Sequence, residues 1–196
     1  MMQAEKLLFF SGSARGESLN QRLAQLAARI AEANGIPATL ADLRDYPLPL
    51  PSGDLERDDG EPENARKLKA LMQAHSGIFI AAPEYNASLT PLLKNTLDWV
   101  SRLKDEGKPP LHVFKTRVFA IASAAAGHFG GIRGLIALHQ VLTAGLGALV
   151  LPIQVSVPLA AAAFNENGHL KDKTQQELLK SAISELARLA KVFHGP

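Results

Sequence analysis

The sequence predicts an α/β fold in three layers, with a five-stranded parallel sheet and helices on both of its faces. Short apolar runs alternate with segments of helical periodicity along the chain. The runs are apolar nearly throughout rather than at every second residue, the pattern of strands covered on both sides. Right-handed crossovers between parallel strands put the covering helices there.

The elements follow in order. Lys6 to Ser11 is an apolar run closed by Gly12, after which Leu19, Leu23, Leu26, Ala27 and Ile30 recur at helical spacing until Asn34-Gly35. Ala38 to Leu43 reads as a second strand, Pro62 to His75 as a helix, and Gly77 to Ala82 as a buried strand around Ile78, Phe79 and Ile80. Pro91 opens a helix with Leu93, Leu97 and Val100 on one face. Arg117 to Ala124 is a fourth strand, Ile132 to Ala144 a helix, Ala148 to Val157 a fifth strand bent at Pro152, and Asp172 to Phe193 a last helix. Two long connections break the rhythm. Tyr46 to Glu61, with alternating Pro47, Pro49 and Pro51, predicts an extended surface loop, and Lys104 to His112 is the other. Nothing divides residues 1–196, so one domain is expected.

Composition narrows the function. The chain has 196 residues, 46% hydrophobic and 20% charged, enough to bury a substantial core. Its 21 Lys and Arg against 19 Asp and Glu give a formal charge of +2, too weak a field to imply nucleic acid or an anionic membrane. The lack of cysteine excludes disulfides, thiolate metal sites and cysteine nucleophiles. His75, His112, His139, His169 and His194 share no metal-ligand spacing, so no metal site is expected. Leu7 to Phe10, preceded by Glu5, is too short for a secretion signal, and Pro152, Gln154, Ser156 and Pro158 interrupt the most apolar stretch, Ala148 to Phe164. A cytoplasmic protein without a membrane span is the expectation.

In an open parallel sheet the binding crevice lies beyond the carboxyl ends of the strands. Three loops of this chain lead there. The first, Ser11 to Asn20, joins glycines that let the backbone bend close to a ligand with the hydroxyls of Ser13 and Ser18 and the guanidinium of Arg15. Together with helix-terminal N–H groups they suit a phosphate, and Asn20 offers a further amide donor. The plainer alternative makes Ser18 a helix cap with Asn20 in the first turn. No Gly-x-Gly-x-x-Gly or Gly-x-x-x-x-Gly-Lys loop is present, and Ser13 does not sit in a Gly-x-Ser-x-Gly elbow.

The second loop carries Pro83-Glu84-Tyr85-Asn86 after the third strand, followed by Leu93-Lys94-Asn95-x-x-Asp98-Trp99 on the next helix. With Gly12-Ser13-x-Arg15-x-x-Ser18-x-Asn20 after the first strand, these motifs resemble the NAD(P)H-dependent FMN reductase family, which includes chromate- and quinone-reducing flavoproteins. The similarity covers nearly the whole chain. Gly127, Gly130 and Gly131 of the third loop match the family's glycine-rich segment beside the flavin ring.

The resemblance implies a flavodoxin-like fold holding FMN through Ser13, Arg15, Ser18, Leu19, Asn20, Pro83, Glu84, Tyr85, Asn86, Ser123, Gly127 and Gly130. It implies hydride transfer from NADPH or NADH to FMN and on to a quinone, chromate, azo compound or similar small acceptor. The reacting atom is then flavin N5, so no catalytic side chain is required. His128 and Tyr85 are the substrate-side candidates. An electron-transfer flavodoxin and a flavin-binding regulatory protein without turnover are the alternatives. The chain departs from the family pattern at Ala125, where serine is common, at Thr90-Pro91, where a proline-glycine pair is common, and at His139, where arginine is common.

A homodimer or homotetramer is also expected. Leu92, Leu93, Leu97, Trp99 and Val100 spread apolar surface around much of one helix, which a second surface must cover. A partner subunit or the 104–112 loop would serve. Trp99 itself is read as a packing residue rather than a cofactor contact.

Overall fold

The computed structural model describes residues 6–193. The start of the chain through Glu5, and His194, therefore lie outside the described residues. The strands are β1 (Leu7–Ser11), β2 (Ala38–Asp42), β3 (Gly77–Ala81), the short β4 (Glu84–Tyr85) and β5 (Ser88–Leu89), β6 (Val118–Ala124) and β7 (Leu149–Val157). The helices are α1 (Leu19–Ala33), α2 (Gly53–Asp58), α3 (Glu63–Gln73), α4 (Pro91–Arg102), α5 (His112–Lys115), α6 (Ile132–Gln140), α7 (Ala160–Ala163) and α8 (Lys173–Val192). Five strands form a parallel sheet in the order β2-β1-β3-β6-β7, a flavodoxin-like order that agrees with the fold the family resemblance implies.

Alternation within β1 shows how one strand serves two cores. Leu7 and Phe9 face one side with α1 and α8, while Leu8 and Phe10 face the other with residues of α3, α4 and α6. Phe9 meets Phe79 on β3 with ring centroids 5.7 Å apart, so neighbouring strands pack through the same layer. The β6–β7 register shifts between Phe119 and Ile121, whose partners are Val150 and Gln154; the extra residues of β7 include Pro152, which has no N–H for a ladder. Among the described residues no helix is long and apolar enough to cross a membrane.

Three sequence expectations need correction. The connection from Tyr46 to Glu61 is not extended throughout, because α2 forms inside it: the Ser52 hydroxyl accepts the Leu55 N–H at 3.1 Å, and Asp54 and Glu56 occupy the first turn. The helix read as Ile132 to Ala144 is α-helical only to Gln140 and continues as a π-helical turn, Val141–Gly145.

The apolar girdle of α4 also has a different cover from either one expected. Trp99 is 0% exposed, packs in a small cluster with Ala65, Leu103, Leu48 and Leu55, and donates its indole N–H to the Pro49 carbonyl at 2.6 Å. Asn95 donates to the Leu48 and Pro49 carbonyls. The proline-rich strap thus closes the outer face of α4 within the chain, and that face no longer argues for a partner.

Candidate functional site

A crevice of about 410 Å³ opens beyond the carboxyl end of the sheet. Ser13, Arg15, Glu17, Ser18, Leu19 and Asn20 form one wall, Pro83, Glu84 and Tyr85 a second, and Ala124, Ala125, Ala126 and Ala161 a third. The chain leaves β1 toward β2 on one side and returns to β3 on the other, so the loops after these strands diverge and leave the opening between them.

The first loop is shaped for an anion. Ser18 caps α1, its hydroxyl accepting the Gln21 N–H at 3.1 Å, and the N–H groups of Leu19 and Asn20 in the first turn have no intrahelical acceptor. No acidic residue stands in the first turn of this 15-residue helix, so its positive end faces the crevice, with Glu17 just before the cap on the same wall. The Ser13 hydroxyl accepts the Arg15 N–H at 3.2 Å and curls the loop, while the Arg15 side chain stays exposed. Gly12 is dictated by packing: a Cβ there would lie 2.9 Å from the Leu93 Cβ. Thr90 donates its hydroxyl proton to the Gly12 carbonyl at 2.6 Å and accepts the Leu93 N–H at 3.2 Å, so the residue that departs from the family pattern caps α4 and anchors the loop.

Asn20 does something the sequence did not suggest. Its amide N–H donates to the Ala124 carbonyl at 2.8 Å and its oxygen accepts the Ala124 N–H at 2.9 Å, so the side chain latches the first loop to the third. Asn20 lines the crevice, and its side-chain amide is occupied by this pairing.

The second loop ends in the β4–β5 hairpin. Tyr85 opposes Ser88, and the two residues between them, Asn86 and Ala87, have φ of +50° and +61°. Such a two-residue turn needs both centres left-handed, which suits asparagine and strains alanine. Asn86 is exposed at the turn, where its left-handed φ suits the turn-closing role. The Glu84 carboxylate points away to α6. One oxygen pairs with the Arg133 guanidinium, and the other accepts the Gly134 N–H at 3.0 Å. Burial pushes this carboxyl up, but the Gly134 N–H and Arg133 outweigh it and hold it below the usual carboxylate range.

The third loop supplies its wall through Ala124 to Ala126 rather than through the residues the sequence singled out. Ser123 is fully buried on the α6 side of β6, directly beneath Gly131, so its hydroxyl does not open on the crevice. Gly130, at φ +59°, packs against Ser156 and Pro158. The Gly127 carbonyl accepts the N–H groups of Gly130 and Leu159, and the exposed His128 lies outside the wall. His139 stands seven residues beyond the start of α6, roughly 10 Å along its axis. Sequence reasoning missed Glu17, Ala161 and Gly134. An isolated glycine inside a helical pattern was the available signal for Gly134, whereas the four alanines of α7 carry no periodicity.

A parallel sheet of this strand order, with a helix amino terminus, two serines and an arginine at its first loop, defines the class: a flavodoxin-like protein with a crevice suited to a phosphorylated flavin. A family model described as NADPH-dependent FMN reductase matches residues 5–162, and the chain belongs to that family. It is 33% identical to a probable NADPH:quinone oxidoreductase 2 of Oryza sativa subsp. japonica, over 98% of this chain and 92% of that protein. It is 32% identical to an NAD(P)H-dependent FMN reductase of Pseudomonas aeruginosa, over 97% of each. Among solved structures it shares its fold with FerB, a flavoenzyme NAD(P)H:(acceptor) oxidoreductase of Paracoccus denitrificans, with TM-score 0.78, 23% identity, and coverage of 98% and 100%. The chain is therefore an oxidoreductase of the FMN reductase family, with FMN and NAD(P)H as its redox partners.

Proposed function

We propose that the crevice holds FMN with its phosphate at the amino end of α1, and that NADPH or NADH reduces a quinone, an azo compound or chromate there. One observation carries this reading: Ser13, Arg15, Ser18 and the unpaired helix N–H groups stand at one end of a crevice whose other walls are Pro83, Tyr85 and Glu84, its carboxylate turned to α6, and a run of alanines. When bound, FMN supplies the two-electron carrier between nicotinamide and acceptor. The chain's part is to hold and orient. Arg15 and the serines grip the phosphate, Leu19, Pro83 and Tyr85 bound the ring, and the backbone of the exposed Ala126, on the third wall, offers an N–H to developing negative charge. Ala125 makes the ring side less polar than serine would. The quinone and azo assignments are supported by relatives named as quinone reductases and as an NADPH azoreductase of a Bacillus strain, the latter 30% identical over 79% of this chain and 75% of that protein.

The test is purification followed by a visible spectrum, identification of the released flavin, and NADPH oxidation with a quinone. A yellow protein releasing FMN, with quinone-dependent NADPH oxidation, supports the reading. A protein that stays colourless after incubation with FMN contradicts it.

Self-association as a homodimer or homotetramer, and a cytoplasmic setting where nicotinamides are available, belong to the same proposal, with residues 1–196 acting as one domain. Support for association comes from Phe129, 66% exposed just before α6, and Ile136, 61% exposed within it. Light scattering should show an oligomer that Ile136→Lys dissociates; a 21 kDa particle would reject it.

A further inference from the structure

We infer that Glu84 is a positioning residue: its carboxylate closes the amino end of α6 from a distance and thereby pins the β4–β5 hairpin that walls the crevice. No neighbouring side chain caps the helix, whose first N–H, at Ile132, turns back to the Phe129 carbonyl. Gly131, which precedes it at φ +88°, has no side chain, and a Cβ there would collide with the Ser123 hydroxyl. Orphan N–H groups at a helix start still need acceptors. The Glu84 carboxylate supplies one to Gly134 and places its negative charge at the positive end of the helix, with Arg133 of the same turn as its counter-ion.

Gly134 makes the approach possible. A Cβ at that position would lie 3.0 Å from the Glu84 Cβ, 3.1 Å from its Cα and 3.2 Å from the Ser88 carbonyl oxygen, so both strands of the hairpin rest on the one bare turn of α6. The Glu84 side chain is 8% exposed and that of Arg133 54%, so the carboxylate sits within the joint and the guanidinium covers it. Arg133 also lies over the Phe129 ring, 5.1 Å from its centroid, which adds the third loop to the assembly. A hairpin of two-residue strands with a strained Ala87 has little stability of its own. Its order is borrowed from α6 through Glu84. The consequence for cofactor binding rests on the functional reading above; the consequence for the hairpin does not.

The experiment uses flavin-free full-length protein. In Glu84→Ala, hydrogen exchange at amides 84–89 and 133–135 is expected to accelerate about 10- to 100-fold, the equilibrium effect of losing a hydrogen bond to a charged group. The amides of β1, β3 and β6 should keep their protection. Affinities for riboflavin and FMN should fall by the same factor, because the hairpin borders the ring and not the phosphate. Glu84→Gln, which keeps an oxygen for the Gly134 N–H, should restore most of both. Unchanged hairpin exchange, an equal loss of protection across the sheet, or a loss of affinity for FMN alone overturns the inference. If the wild-type protein binds neither flavin, the functional reading fails, and the exchange data still decide the role of Glu84.

Discussion

Arg15 concentrates the argument at the scale of single residues. It presents a free guanidinium beside a helix end that carries no acid in its first turn, so a phosphate dianion gains a charged hydrogen bond there without displacing an existing partner. Arg15→Ala should weaken FMN binding about 10- to 150-fold, the worth of roughly 1.5–3 kcal/mol, as read by fluorescence titration. Ala87 makes the opposite kind of prediction. Its φ of +61° costs a residue with a Cβ about 1–2 kcal/mol, of which glycine's greater unfolded freedom returns part. Ala87→Gly should therefore stabilise the protein by about 0.5–1 kcal/mol, raising Tm by about 1–4 °C; an unchanged or lower Tm would show that the turn has relaxed elsewhere. Glu84 adds a pH signature. Its carboxyl is held below its ordinary value in the folded chain, so its contribution is present above that ordinary value and is lost as pH falls through the lowered one. Urea midpoints taken between neutral and strongly acidic pH should fall less steeply for Glu84→Gln than for the wild type. Residue types in the first loop were legible in the sequence because glycines, hydroxyls and a guanidinium stand together just before a helix start that follows a strand. What Asn20 and Ser123 do was not legible, because which neighbour lies across the sheet is a three-dimensional fact.

Elements were read more securely than the contacts between them. Every long apolar run became a strand of the sheet and every long periodic segment a helix, since burial on two faces and a 3.6-residue repeat leave plain marks on a sequence. The β4–β5 hairpin left none, being too short for alternation to show and closed by Asn86-Ala87 rather than by a glycine. The strap from Pro47 to Pro51 was visible as extended chain, yet its function as the lid on Trp99 depends on carbonyls that every residue possesses. Gly134→Ala tests the packing of hairpin on helix directly. Alanine is the better helix former by about 1 kcal/mol, so propensity alone predicts stabilisation. The close approach of Glu84 and Ser88 predicts the reverse, with a lower urea midpoint and weaker flavin binding. A more stable Gly134→Ala protein would mean that the hairpin yields freely.

At the scale of the whole molecule, strand order determines where the chemistry lies. The reversal between β2 and β3 about β1 opens a crevice, α1 aims its positive end into it, and the Asn20–Ala124 latch and the Glu84–Gly134 bond tie the three loops around it. The central claim is that this crevice recognises a flavin by a terminal phosphate. The most direct measurement is titration of flavin-free protein with FMN, riboflavin and FAD under one set of conditions, repeated with Arg15→Ala. The account predicts that FMN binds more tightly than either of the others and that the advantage over riboflavin collapses in Arg15→Ala. Equal affinity for FMN and riboflavin in the wild-type protein would contradict it.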